Sequence, residues 1–292
     1  MSAKATSGSE QREERNRFLI GLLRAGAGAL IFGLPMMMTM ELWFVGLYIE
    51  PIRLLVTAVL NIPLLFLLAQ RMGFEHTFTW REALRDAIIA YAIGILTSAI
   101  LLVLLGILKI DMPFDQWVGK IAIQAIPASI GALLGRSQLG GGDKSEDDED
   151  RHEDEQAGDK FSTSYGRELF MMAIGALFLS LNVAPTEEVI LLSYKMTAWH
   201  TLCAVLLSIA LMHGFVYAMA FRGGHELSKD TPRWHAFVRF TMPGYVVALL
   251  ISLFVLWVFG RLDDTAWTQI LMTTIVLAFP ASIGAAAARL IL

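Results

Sequence analysis

Eight runs of about twenty apolar residues, nearly free of charge, leave this chain few ways to fold. They fall at 18–40, 52–70, 86–108, 115–136, 168–185, 198–220, 239–260 and 266–290. Each is long enough to cross about 30 Å of hydrocarbon as a helix. Lipid offers no partner to a bare peptide group, so a spanning segment must pair its own backbone. The runs are continuous rather than alternating, which excludes barrel strands. The expected fold is all-α: a polytopic membrane protein with eight transmembrane helices. Only 17% of the residues are charged, and many of those sit in one linker and at the chain ends.

Lysine and arginine set the expected orientation. With both termini placed inside, 18 of the 23 basic residues fall on inner segments and 5 on outer ones (Arg53, Lys109, Lys120, Lys195, Arg261). The bias predicts a multi-pass protein of the plasma (inner) membrane with cytoplasmic N- and C-termini. The polar tail 1–17 precedes an apolar run without a small-residue cleavage site, and that run has an internal counterpart, so it reads as a retained span rather than a leader. The single cysteine, Cys203, lies within a span and reads as packing.

The sequence repeats itself. Pro-Ala-Ser-Ile-Gly-Ala at 127–132 recurs letter for letter at 280–285, and Arg136 recurs as Arg289. Trp80, Arg85 and Tyr91 match Trp234, Arg239 and Tyr245, and Gly28-Ala29-Leu30 matches Gly175-Ala176-Leu177. Near the end of the first run of each half, Thr39-Met40-Glu41 falls on Thr186-Glu187-Glu188. Two four-helix repeats are therefore expected, 18–139 and 164–292. Four spans is an even number, so the repeats are parallel about an axis along the membrane normal. Between them, 140–163 is rich in Gly, Asp and Glu and reads as an acidic disordered linker. These residues resemble a family of bacterial integral membrane proteins of unknown function, of this length and span count. The resemblance covers nearly the whole chain and implies a membrane protein, with no activity, cofactor or site attached.

Two duplicated features are candidates for chemistry. The first is Thr39 and Glu41, with Thr186, Glu187 and Glu188. A carboxylate flanked by apolar residues near hydrocarbon is costly, and two carboxylates with two hydroxyls suit a cation or a shared proton. The competing reading places them at outer helix ends, in headgroup water. The second is Pro127 and Ser129, with Pro280 and Ser282. A mid-helix proline frees a carbonyl, and interrupted helices near the midplane are where transporters hold ions. The competing reading is packing: Gly131-x-x-x-Gly135 and Gly284-x-x-x-Ala288 would let the fourth and eighth spans touch.

Further polar residues carry weaker expectations. His213, with Tyr217 a turn on, is a candidate proton relay or a hydrogen-bonded structural histidine. Arg24, Asn61, Gln124 and Asn182 read as stitches between helices, with Asn61 matching Ser208. Met36, Met37, Met38 and Met40 read as packing rather than a soft-metal site. Trp43, Trp80, Trp199 and Trp234 read as interfacial anchors. Eight acids lie on outer segments against the five basic residues, a rim that would gather cations.

The expected function is a cation channel or proton-coupled cation transporter whose pathway follows the pseudo-twofold axis. The alternatives are a scaffold or sensor recruiting partners through the linker, and a lipid-modifying enzyme, for which no Ser-His-Asp or His-cluster spacing is found. The expected partners are the lipid bilayer and cations or protons, with a homo-oligomer left open. No nucleic acid, no cofactor and no enzymatic activity is expected, and the identity of any metal is left unassigned.

Overall fold

The computed structural model describes residues 3–72, 80–138, 157–220 and 237–291, and all regular structure among them is helical. The ten α-helices are α1 (Ala3–Met37), α2 (Met40–Tyr48), α3 (Pro51–Met72), α4 (Trp80–Leu104), α5 (Phe114–Gln138), α6 (Ala157–Val183), α7 (Glu188–Lys195), α8 (Ala198–Ala220), α9 (Met242–Val258) and α10 (Trp267–Ile291). A π-helical turn, Phe237–Thr241, leads into α9. Eight of these segments are long and apolar enough to cross a membrane, from Phe18–Met37 through Trp267–Ala288. The all-α, eight-span reading of the sequence therefore holds. The expected acidic linker falls outside the described residues from 139 to 156, as does Trp234. Helix extends beyond the apolar runs at two places read as polar tail and linker: α1 begins at Ala3 and α6 at Ala157. Once nucleated in lipid, a helix propagates into water through good formers such as Glu, Gln and Arg.

The chain divides into two compact units, 1–153 and 154–292. In the first, α5 is the hub and packs against α1, α2, α3 and α4. Three glycines let α1, α2 and α4 come this close. A methyl group on Gly28 of α1 would strike the Gly131 carbonyl oxygen and lie 2.5 Å from Gly135 Cα. One on Gly46 of α2 would lie 2.8 Å from Lys120 Cα, and one on Gly94 of α4 would lie 2.7 Å from the Ser129 nitrogen. In lipid there is no hydrophobic drive between helices, so association rests on van der Waals contact, which small residues maximise by letting backbones touch.

In the second unit α10 is the hub, packing against α6, α7, α8 and α9. There a methyl on Gly175 of α6 would strike the Gly284 carbonyl oxygen and lie 2.5 Å from Ala288 Cβ. The small-residue stripes thus differ from expectation. Gly131 and Gly135 receive Gly28, and Gly284 and Ala288 receive Gly175, so each stripe is filled by the first span of its own unit.

The ends of helices are set by two devices, each present in both units. Thr39 Oγ1 donates to the Met36 carbonyl at 2.7 Å, and Thr186 Oγ1 donates to the Val183 carbonyl at 2.8 Å, closing α1 and α6. Gly106 and Gly260 close α4 and α9 with φ of 70° and 68°. Around them Ile107 N bonds Leu102 O and Gly106 N bonds Val103 O, while Arg261 N bonds Leu256 O and Gly260 N bonds Trp257 O. This is the Schellman pattern, whose left-handed residue is glycine for want of a Cβ clash.

Candidate functional site

The Thr-Glu segments sit where the first span of each unit stops and a short helix begins. Glu41 lies in the first turn of α2 and is half-buried; Glu188 lies in the first turn of α7 and, with Glu187, is exposed. Acids in a first turn face the positive end of the helix dipole, so a folding role accounts for their recurrence. The threonine hydroxyls are committed as donors to their own chain by the bonds that end α1 and α6. Nearby, Arg53 pairs with Glu50 at 2.9 Å.

The proline segments also carry local bonds. Pro127 and Pro280 lie inside uninterrupted helices, not at breaks. Ser129 Oγ donates to the Ile126 carbonyl and Ser282 Oγ to the Phe279 carbonyl, each at 2.8 Å. Both serines are fully buried. His213 is held by Thr241 Oγ1, 3.0 Å from its Nδ1, and meets the Phe237 ring edge-on at 5.3 Å, which ties α8 to the π-helical turn. The side chains of Tyr217, Arg136 and Arg289 lie outside the described residues. The methionines divide: Met36 and Met37 are buried, whereas Met38 and Met40 are exposed, so the four sulfurs do not gather into one ligand set.

The polar residues read as stitches separate into three behaviours. Asn61 Nδ2 donates to Ser129 Oγ at 3.0 Å and does bridge α3 to α5. Asn182 Nδ2 turns back to the Phe178 carbonyl of its own helix. Gln124 is fully buried, and neither its oxygen nor its nitrogen has a partner among the described residues. The Asn61 oxygen and the Ser98 hydroxyl also lack one there. Gln124 stands midway along the span Phe114–Gly135, and Asn61 midway along Pro51–Gln70. At the matching positions of the second unit are Leu277, fully buried, and Ser208, whose hydroxyl bonds the Ala204 carbonyl. Among the described residues, the mid-span amides therefore belong to the first unit.

Sequence reading also missed Lys120. Counted there with the outer charges, it is 1% exposed and lies one and a half turns into α5. Its Nζ donates to the Ile107 carbonyl at 3.3 Å, lies 3.8 Å from Met112 Sδ and stands 5.3 Å from the centre of the Trp43 ring. Trp43 is thus half-buried under a cation rather than a free interfacial anchor, whereas Trp80 and Trp199 are exposed. The position matching Lys120 in the second unit is Thr273, which donates to Ser193 Oγ at 3.0 Å, as Gln269 does at 2.5 Å. There the cation is Arg261, which donates to the Pro185 carbonyl. The signal for Lys120 was a lone lysine inside an apolar run, a pattern that marks function or a snorkelling side chain.

A family model described as "putative integral membrane protein (DUF2391)" matches residues 21–292. The chain belongs to that family. DUF2391 is described as a membrane family and by no activity, which agrees with the resemblance read from the sequence. No curated protein and no solved structure was found to match the chain.

Proposed function

We propose that this protein moves a cation or proton across the bilayer, and that the interior step is served by the amides of Gln124 and Asn61 in the first unit. The observation that carries the reading is Gln124, an amide wholly enclosed at mid-span with both polar ends unpaired among the described residues. Leaving such a group unsatisfied costs about 1–3 kcal/mol, and more where no water reaches. A packing role asks for none of that, since leucine fills the matching place in the second unit. The amide oxygens of Gln124 and Asn61, the Ser98 hydroxyl and the Ile123 carbonyl, stripped of its donor by Pro127, are hard oxygen ligands. They suit a small cation or a file of water carrying protons. Glu41, Glu187 and Glu188 would raise the local cation concentration outside, an effect that added salt weakens.

Reconstitution in vesicles with proton- and cation-sensitive dyes tests this. Gln124→Leu should fold at least as stably as the parent, because it removes an unpaired amide, yet lose flux by tenfold or more (~1.4 kcal/mol). Glu41→Gln with Glu188→Gln should lower flux a few-fold, and only at low ionic strength. Unchanged flux in Gln124→Leu, or no flux above empty vesicles with the parent protein, refutes the proposal.

A further inference from the structure

The start of α4 carries its charges on two sides. Glu82 is half-buried and Asp86 buried, while Arg81 and Arg85, one turn apart, are exposed. The arginines head an open groove of about 340 Å³ lined by Trp80, Arg81, Leu84, Arg85, Ile88 and Ile89. Trp80 is 60% exposed, and the Arg81 guanidinium lies 5.5 Å from the centre of its ring. Ile88, further down the same side, is 57% exposed. The Arg85 side chain is 67% exposed, and its Nε is 3.9 Å from the Asp86 carboxylate, too long for a close bidentate pair. The groove thus has an exposed cationic head, an aromatic residue of the kind that sits at headgroup level, and an apolar floor along a membrane span.

The second unit treats the matching arginine differently. Arg239, which aligns with Arg85, is half-buried, with its guanidinium 5.3 Å from the centre of the Tyr165 ring and 5.9 Å from that of Phe240. The Tyr165 hydroxyl donates to its carbonyl at 2.9 Å. There the cation is absorbed by the protein's own aromatics, whereas in the first unit it is turned outward.

We propose that the Trp80–Ile89 groove binds an anionic phospholipid, with the phosphodiester on Arg81 and Arg85 and an acyl chain along Leu84 and Ile88. Guanidiniums pair with phosphate oxygens through parallel hydrogen bonds, and exposed basic residues at a span's end favour anionic over zwitterionic lipid. The proposal is independent of transport.

Full-length protein in detergent would be titrated with phosphatidylglycerol or phosphatidylcholine and its bound lipid counted by native mass spectrometry. The parent should retain phosphatidylglycerol preferentially, and free glycerol phosphate should not displace it. Arg81→Gln with Arg85→Gln should cut that retention about fivefold (~1 kcal/mol). Arg15→Gln with Arg167→Gln, which removes two exposed basic residues from α1 and α6, should leave it unchanged. Retention equal to the parent in the first pair, or an equal loss in the second, overturns the proposal. A photoactivatable phosphatidylglycerol on the unaltered protein gives a readout free of any folding defect. Its label should map to residues 80–89, and labelling confined to other segments overturns the proposal as well.

Discussion

Replacing Gly28 by alanine adds one methyl group to a surface that has no room for it. The new Cβ would strike the Gly131 carbonyl oxygen and lie 2.5 Å from Gly135 Cα and 2.9 Å from Gly135 N. Those are backbone atoms of the hub helix and cannot rotate away, so α1 and α5 must part by about 1 Å to restore ordinary contact. A gap of that size forfeits between a quarter and a half of each pairwise attraction along the crossing. Backbone-on-backbone overpacking belongs at the upper end of the usual range, about 3 kcal/mol. The control lies two residues away. At Gly26 a methyl group would meet nothing within 4 Å. Gly26→Ala should therefore gain about 0.5–1 kcal/mol from helix propensity alone. The second unit offers the same contrast between Gly175, which faces Gly284 and Ala288, and Gly166, which faces nothing within 4 Å. Denaturation in mixed micelles, followed by far-ultraviolet circular dichroism, would rank the four variants. If Gly28→Ala proved as stable as Gly26→Ala, the close crossing of α1 and α5 would be refuted.

Two further outcomes follow from single contacts and a third from the basic residues. Ser193→Ala removes the acceptor shared by Gln269 and Thr273 and should destabilise by about 2–3 kcal/mol, measured in the same denaturation series; a loss below about 0.5 kcal/mol would mean that the two donors find other partners. Lys120→Met keeps the buried stem and should change stability by less than about 1.5 kcal/mol. Lys120→Glu sets a carboxylate against the Ile107 carbonyl and the face of Trp43 and should lose about 3–5 kcal/mol; equal stability of the two variants would contradict the environment described for Nζ. For sidedness, a Cys203→Ser background carrying Lys109→Cys should react in intact cells with a membrane-impermeant maleimide, whereas one carrying Arg15→Cys should react only after lysis; the reverse pattern would invert the orientation drawn from the basic residues.

The spans were legible because charge-free runs of that length have one stable form in lipid. Their ends were not. The third run was read as 86–108, but α4 begins at Trp80 and ends at Leu104. Its polar first turn belongs to the helix although its letters suit water, and apolar letters continue past Gly106, where the chain has already turned. The first run was likewise read through to 40, because Met38 and Met40 continue an apolar pattern across the stop that Thr39 makes. The short helices α2 and α7 were hidden for the same reason. Hydropathy reports whether a residue tolerates lipid, while the stop is written in one hydroxyl bond or one left-handed glycine.

Letters shared by the two halves and letters that differ carry different information. Gly28 with Gly131 and Gly175 with Gly284, Thr39 and Thr186, Ser129 and Ser282, Gly106 and Gly260 all have folding tasks: crossings, stops and back-bonded hydroxyls. Duplication drew attention to all of these but the last pair, yet a residue needed for a close crossing or a helix stop recurs wherever that crossing or stop recurs. The differences are harder to explain by folding. At two matching places Leu277 and Thr273 serve the second unit with no unpaired amide and no buried ammonium, whereas Gln124 and Lys120 burden the first with both; the second unit's own unpartnered buried atoms among the described residues, such as Arg261 Nε and the Ser252 hydroxyl, lie elsewhere. Packing alone does not call for that burden, so the first unit is where a task beyond folding should be sought, and Gln124→Leu tests it at the position where the second unit already supplies the apolar answer.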